Sequence, residues 1–328
     1  MKIKRLTAFS GFGIAFFGLC LLSMRFGSVF IDTKSFFSAL FMKEGFETQS
    51  VILYSLRLPR IIAGIVAGAG LGVSGVLLQC VTGNKMASPG LIGVNSGAGF
   101  AVILALTVGI PYVLLPFVSF FGAFLATLAI IAIAGRMGMT KNTVVLSGIA
   151  FSAILSAGIS LMSLLDSDVL VSYNAFSVGS LAGSEIKSII LPALLVGISI
   201  ALSLFVASKL NILTLGAPIA SALGVNVKAV RIISMLLSSV AAGAAVSAVG
   251  LLGFVGLMSP HIARALVGPD ARRLLPFTAL VGADLVLAAD LCGRVIFAPG
   301  EMPVGVLMAL LGAPFFLGIL LKGGRRDA

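Results

Sequence analysis

The twenty residues IIAGIVAGAGLGVSGVLLQC, positions 61–80, decide the fold class. They carry no charge, and Gly64, Gly68 and Gly72 recur every four residues. That spacing sets three positions without side chains on one helix face, where a second helix can approach closely. About 20 apolar residues is also the length that crosses the roughly 30 Å hydrocarbon core of a bilayer. The same stretch holds Gly70, Gly72 and Gly75 in the G-x-G-x-x-G order of a dinucleotide fingerprint. That fingerprint needs a strand before it and a helix opening after it. Here it lies inside an apolar helix that no pyrophosphate reaches, so helix packing is the reading.

The rest of the chain repeats the apolar pattern. It is 59% hydrophobic and 10% charged, with a mean hydropathy of +1.19, against roughly 45–50% and 25% for soluble domains. Such a composition in a soluble fold would leave large apolar patches in water. Further runs fall at 6–24, 142–165, 188–208 and 302–321, and 61–80 extends to 84. Segment 274–295 is another despite Asp284 and Asp290. The stretch 86–135 is too long for one crossing and breaks at Gly109-Ile110-Pro111, giving two. The stretch 232–263 reads as one long helix or as two divided near residues 250–253.

Charge chooses between them. Lys2, Lys4 and Arg5 at one end and Lys322, Arg325 and Arg326 at the other both ask for the cytoplasm. Both termini inside requires an even number of spans, so 232–263 splits and the total is ten. In that topology the inner segments hold 15 basic residues against the two acids Asp270 and Asp327, while the outer segments hold seven of each sign. The expectation is an all-α membrane protein of about ten transmembrane helices per subunit, both termini cytoplasmic, over one transmembrane domain spanning 1–328. The first run is too long for a signal-peptide core of about 7–15 residues, and no A-x-A site follows. It is read as a retained span.

The net charge of +11 raises the question of nucleic acid. The basic residues are scattered through short loops, there is no Trp, and the three Tyr lie far apart, so no stacking platform accompanies them. No nucleic-acid partner is expected. Cys20, Cys80 and Cys292 all fall in apolar runs without metal-ligand or disulfide spacing, and read as small packing residues. His261 is the single histidine, directly after Pro260, and one histidine builds no metal site. No catalytic pair, metal set or phosphate-cradling loop is present, so neither an enzyme nor a bound cofactor is expected.

A series of short motifs narrows the reading. Leu56-Arg57-Leu58-Pro59-Arg60 precedes the glycine-rich span, which ends Gly75-Val76-Leu77-Leu78-Gln79. Asn84-Lys85-Met86-Ala87-Ser88-Pro89-Gly90 and Gly93-Val94-Asn95-Ser96-Gly97-Ala98-Gly99 follow. Downstream stand Leu223-Gly224, the segment from Gly253 to Arg264 containing Ser259-Pro260-His261, and Ala289-Asp290-Leu291-Cys292-Gly293-Arg294. Glu301-Met302-Pro303-Val304-Gly305 and Gly312-Ala313-Pro314 complete the set. Taken together these closely resemble the FecCD-type permeases, the membrane subunits of ABC importers for iron siderophores, haem and cobalamin. The resemblance runs nearly end to end.

It implies a type II ABC importer permease in the cytoplasmic (inner) membrane of a bacterium. The permease would pair with a second permease subunit as a homodimer or heterodimer and sit on cytoplasmic ABC ATPase subunits that bind ATP and Mg. An extracytoplasmic substrate-binding protein would dock on its outer face. An iron chelate, ferric siderophore or haem, is the expected cargo, with cobalamin as the alternative within the family.

Residue by residue, the resemblance assigns Arg57, Arg60 and Arg294 to docking, because arginines in the matching motifs of the cobalamin importer receive acidic residues from the binding protein. Without the family they read as interfacial arginines with their charged ends in water. Asp290 and Arg294, four apart, share a helix face and can pair locally, a reading that competes with docking for Arg294 without excluding it. The inner loop 209–231 would carry the short coupling helices, with Leu215, Ile219, Leu223, Gly224 and Val225 meeting the ATPase. Ala217-Pro218 stands where the family usually has an acid, and Lys85 replaces its usual proline. Asn84, Met86, Asn142 and Thr143 would lie at the cytoplasmic gate. A different class, an ion-coupled secondary transporter, would use Asp284 and Asp290 as coupling sites. For Asp284 alone, a structural hydrogen bond to a neighbouring helix competes with a place in a pathway.

Overall fold

A computed structural model describes residues 2–42 and 44–323. Of the charges that set the expected topology, Lys43, Arg325, Arg326 and Asp327 lie outside the described residues, as do the side chains of Lys2, Lys4, Arg5 and Lys322.

Among the described residues the regular structure is all helix. In chain order the α-helices are α1 (Lys2–Arg25), α2 (Thr33–Leu40), α3 (Glu47–Val51), α4 (Leu58–Thr82), α5 (Val94–Thr107), α6 (Leu115–Arg136) and α7 (Lys141–Leu165). There follow α8 (Ser167–Val178), α9 (Ile186–Thr214), α10 (Ala217–Ala222), α11 (Val227–Val249), α12 (Val255–Val267), α13 (Ala271–Ile296) and α14 (Val304–Gly323). Seven helical stretches are long and apolar enough to cross a membrane: Leu6–Arg25, Glu47–Thr82, Tyr112–Arg136, Lys141–Leu165, Ile186–Thr214, Val227–Val249 and Ala271–Ile296. The chain is therefore a multi-pass membrane protein. The apolar helices Val94–Thr107 and Val304–Ile319 are shorter, and α12 has 13 residues. The ambiguous run 232–263 does divide. Gly250 (φ 78°) and Phe254 (φ 64°) are left-handed, so the helical path ends at Val249 and restarts at Val255.

The glycine-rich stretch forms α4, the centre of the bundle, packed by α13, α11, α9 and α12. Its apolar window is 89% buried, against 6% for α1. The glycines explain the closeness. Gly64 faces Leu287, Gly68 faces Gly282 and Gly72 faces Thr278, so α4 and α13 run antiparallel in register. A Cβ at Gly68 would run into the Gly282 carbonyl, and one at Gly75 into the Gly256 carbonyl of α12. On another face the hydroxyls of Ser74 and Ser238 hydrogen-bond at 2.6 Å, joining α4 to α11. Such small-residue faces are how apolar helices associate where lipid is as apolar as leucine.

The stretches that join α1 to α4 and α7 to α9 contain helices of their own. Between α1 and α4, α2 and α3 fold over a small cluster of Ile31, Phe36, Ala39 and Leu53. Asp166 caps α8, accepting hydrogen bonds from the amides of Asp168 (2.9 Å) and Val169 (3.2 Å). Of the cysteines, Cys80 is buried and Cys20 half-buried, but Cys292 is exposed and is not the packing residue expected.

Candidate functional sites at the two ends of the bundle

At 1.5 Å per residue α4 is about 37 Å long, and its two ends carry different chemistry. At the start stand Arg57 and Arg60, on either side of Leu58 and Pro59, where a π-helical turn, Ile52–Arg57, passes into α4 and accommodates the N–H that Pro59 lacks. Antiparallel packing brings the end of α13 beside them. Arg60 donates from Nε to Asp290 Oδ1 at 2.9 Å, and its Nη2 lies 2.8 Å from the same oxygen. Its Nη1 donates to Glu301 Oε2 at 2.6 Å. Asp290 Oδ2 pairs with Arg294 Nε at 2.9 Å, the local pair that the four-residue spacing predicts. The Ser28 hydroxyl donates to the other Glu301 oxygen at 2.8 Å.

The arginines also hold the end of α1. Arg57 donates from Nη1 to the carbonyls of Met24 (2.7 Å) and Arg25 (2.6 Å), and from Nη2 to that of Val29. Arg294 donates to Phe26 O at 3.1 Å and Ser23 O at 3.3 Å. The first helix, so little buried along its length, is tied to α4 and α13 at this end.

All three arginines are buried, at 4%, 9% and 2% exposure for Arg57, Arg60 and Arg294. This corrects the picture of interfacial arginines reaching into water. They line a pocket of about 250 Å³ with Gly27, Ser28, Leu56, Ala182, Ser184 and Glu301 on its rim and walls. Exposure falls from the Glu301 side chain (30%) to Arg60 (11%) and Asp290 (3%), so Glu301 is the outermost carboxylate. Burial pushes its carboxyl up, but the bonds from Arg60 and Ser28 and the charges of Arg60 and Arg294 outweigh it and hold the group below its ordinary value.

Asp284 is a second correction. It is 6% exposed, yet neither carboxylate oxygen has a hydrogen-bond partner among the described residues. The expected structural hydrogen bond to a neighbouring helix is not formed.

At the far end of α4, the chain turns at Gly83 (φ 63°). Asn84 accepts from the Met86 amide at 2.9 Å, which shapes this turn. Lys141, next to Asn142, lies against Gly83, next to Asn84. The two expected gate segments are therefore neighbours. Thr143 is fixed by Thr140, whose hydroxyl accepts its amide at 3.2 Å and caps α7. Sequence reading assigned no role to Gln79 and Arg264, which join α4 to α12 here at 2.8 Å. Both stand in the quoted motifs, but nothing in one dimension says that residues 185 apart meet. His261 stacks edge-on against Phe315.

The loop between α9 and α11 forms α10. It starts at Ala217 without an acid in its first turn, because Pro218 already has the backbone angle of a first helical turn. Leu215, Ile219 and Leu223, four apart, are exposed at 59%, 51% and 61%. Gly224 (φ 78°) ends the short helix, and Val225 turns inward as a partly buried member of the cluster around Leu210 and Val230.

The model of the FecCD transport family matches residues 15–322. The chain belongs to the FecCD transport family. Among the relatives of this FecCD chain is the Fe(3+)-citrate import system permease protein YfmE of Bacillus subtilis (strain 168), 36% identical over 94% of this chain and 93% of that protein. The hemin transport system permease protein HmuU of Yersinia pestis is 37% identical over 83% of each chain. The ferric enterobactin transport system permease protein FepD of Escherichia coli (strain K12) is 39% identical over 84% of each. A solved inward-facing structure of a transporter assigned to the metal-chelate ABC type superposes with a TM-score of 0.82 at 30% identity, covering 95% of this chain and 98% of that one.

Proposed function

We propose that this chain is the membrane-spanning subunit of a binding-protein-dependent ABC importer that moves an iron chelate, a ferric siderophore or haem, across the inner membrane of a bacterium. The observation that carries the reading is the family match over residues 15–322, with iron-citrate, hemin and enterobactin permeases among the relatives. The whole chain acts as one permease domain, paired with a second permease subunit. ATP hydrolysis, with ATP and Mg, takes place on separate ATPase subunits and drives alternating access. Uptake of labelled ferric siderophore, haem and cobalamin by the complex reconstituted with its ATPase and binding protein tests this. ATP-dependent uptake of an iron chelate is expected, and cobalamin as the preferred cargo would overturn the iron assignment.

Ten spans with both termini cytoplasmic is the topology we adopt, with α5, α12 and α14 as the three crossings beyond the seven long ones. The basic excess of the inner segments supports it. A cysteine placed at Ser184 should react with an impermeant thiol reagent from outside, and one at Ser221 should not. Labelling of the Ser221→Cys variant from outside would break the topology.

In this orientation the pocket of Arg57, Arg60 and Arg294 faces the binding protein, and a carboxylate of that partner enters it. Since Glu301 already lies on Arg60, the incoming group exchanges with it or joins it. At the inner end Leu215, Ile219, Leu223 and Gly224 form the contact with the ATPase, while Val225, expected to join them, packs inward and supports them from within; Asn84, Met86, Asn142 and Thr143 form the cytoplasmic gate. The ion-coupled alternative loses much of its appeal at Asp290, whose two oxygens are held by two arginines.

A further inference from the structure

A deep groove between α6 and α9 has no part in the function proposed above. Helices α6 and α9 each pack on α11, and between their first turns a cleft of about 540 Å³ opens, floored by Ser247 of α11. Its walls are apolar, formed by Phe117 and Phe120 of α6 and Leu191 and Leu195 of α9. The outer wall residues are bare, with Phe117 49% and Leu191 44% exposed. Charge appears only at the mouth, where Glu185 and Lys187 stand at the start of α9. Neither is in an ion pair among the described residues.

The dimensions fit one leaflet. From Glu185 to Leu195 the groove descends about 15 Å at 1.5 Å per residue, half of the roughly 30 Å hydrocarbon core. The walls belong to two helices long and apolar enough to cross the membrane, so the groove opens towards lipid and its charged mouth lies at headgroup level. An acyl chain entering it leaves one apolar surrounding for another, and the hydrophobic effect contributes little. Retention then rests on packing against the concave wall and on the headgroup. One unpaired anion and one unpaired cation, two residues apart, complement a headgroup that itself carries one charge of each sign.

We propose that this groove binds a membrane phospholipid with a zwitterionic, ammonium-bearing headgroup, its phosphate against Lys187, its ammonium against Glu185 and one acyl chain along Phe117, Phe120, Leu191 and Leu195. The site requires the chain to be embedded with α6 and α9 as spans, but it does not depend on cargo or docking partner.

The test is native mass spectrometry of the full chain, purified in mild detergent from bilayers of equal phosphatidylethanolamine and phosphatidylglycerol. The wild type should retain about one phosphatidylethanolamine per chain, enriched over phosphatidylglycerol by about fivefold, the size of a modest charged contact. Leu191→Trp fills the groove and should reduce retention by a similar factor. Leu194→Trp, at an exposed site outside the lining, should leave retention unchanged and serves as the control for folding. Glu185→Lys gives the mouth two cations and should turn the preference towards phosphatidylglycerol. Adducts that track the bulk mixture in the wild type, or that ignore both Leu191→Trp and Glu185→Lys, overturn the proposal. So does efficient disulfide formation between a Phe117→Cys copy and a Leu191→Cys copy, which would give the groove to a second chain.

Discussion

The two ends of the molecule solve opposite problems with opposite residues. At the arginine end charge is buried: Arg60 and Arg294 lie on the carboxylates of Asp290 and Glu301, and Arg57 beside them holds backbone carbonyls at the end of α1, so that α1, α4, α13 and the segment before α14 are joined. At the opposite end apolar surface is bare: Leu215, Ile219 and Leu223 stand on and around a six-residue helix, each more than half exposed. Buried charge costs several kcal/mol per ion unless its partners are in place, so the first end is built to hold together. In the proposed topology these side chains lie outside the membrane, where exposed apolar surface calls for a partner to cover it, so the second is built to be completed. The contrast teaches where a mutation will be felt in the fold and where it will be felt only in the assembly.

The largest effect falls on the saturated end. Asp290→Ala removes the carboxylate shared by Arg60 and Arg294 and leaves two buried cations facing each other. Breaking a buried pair by removing one partner costs about 3–5 kcal/mol, and here two pairs break at once. The unfolding midpoint of the chain in detergent should drop sharply. A midpoint within error of wild type would show that the cluster contributes nothing to the fold, and the comparison between the two ends would fail.

Leu223→Asp probes the other end and should leave that midpoint unchanged, because the side chain is exposed. Its effect belongs to the ATPase complex, where a carboxylate would enter an apolar contact without a partner. Association with the ATPase should weaken by at least about tenfold, equal to about 1.4 kcal/mol, read by titration of the purified chain with its ATPase. Equal affinity of the variant would remove Leu223 from the interface. Ile219→Asp repeats the test one turn away.

The same contrast governs what could be read in advance. Apolar runs, their breaks and the small-residue face of α4 are local properties, repeated every four residues, and a sequence displays them. The helix expected in the loop after α9 starts at Ala217 with one local device, an acid, replaced by another, Pro218. The pairing of Asp290 with Arg294 was visible because four residues make one helical turn. Arg60 with Glu301 and Gln79 with Arg264 lie 241 and 185 residues apart, and their meeting depends on the antiparallel register of whole helices. Burial of the arginines was illegible for the same reason. A guanidinium at the end of an apolar run looks interfacial until the carbonyls at the end of another helix are brought over it.

The smallest effect is the most discriminating. Arg57→Glu and Arg60→Glu are poor probes of docking, since a carboxylate there would be buried among groups already bonded to arginine. Glu301 is better placed, being the outermost member of the cluster and lying on Arg60 at 2.6 Å. If a carboxylate of the binding protein seeks the same guanidinium, Glu301 competes with it, and Glu301→Gln removes that competition while keeping the size of the side chain and an amide oxygen for Arg60. The cluster then carries three cations against one anion. Docking should tighten by about twofold to fivefold, the roughly 0.5–1 kcal/mol of a partly solvated pair, and its salt dependence should steepen, because screening acts on the added net charge. Ala182→Asp, on the exposed rim of the pocket, adds a negative charge without entering the cluster and should weaken docking by a similar factor. Titrating the reconstituted complex with binding protein at low and high salt separates the outcomes. Weaker docking by Ala182→Asp with no gain from Glu301→Gln would leave the pocket as the docking site and make Glu301 a staple of the fold. No change from either variant would return Arg57, Arg60 and Arg294 to holding α1 against the bundle and nothing more.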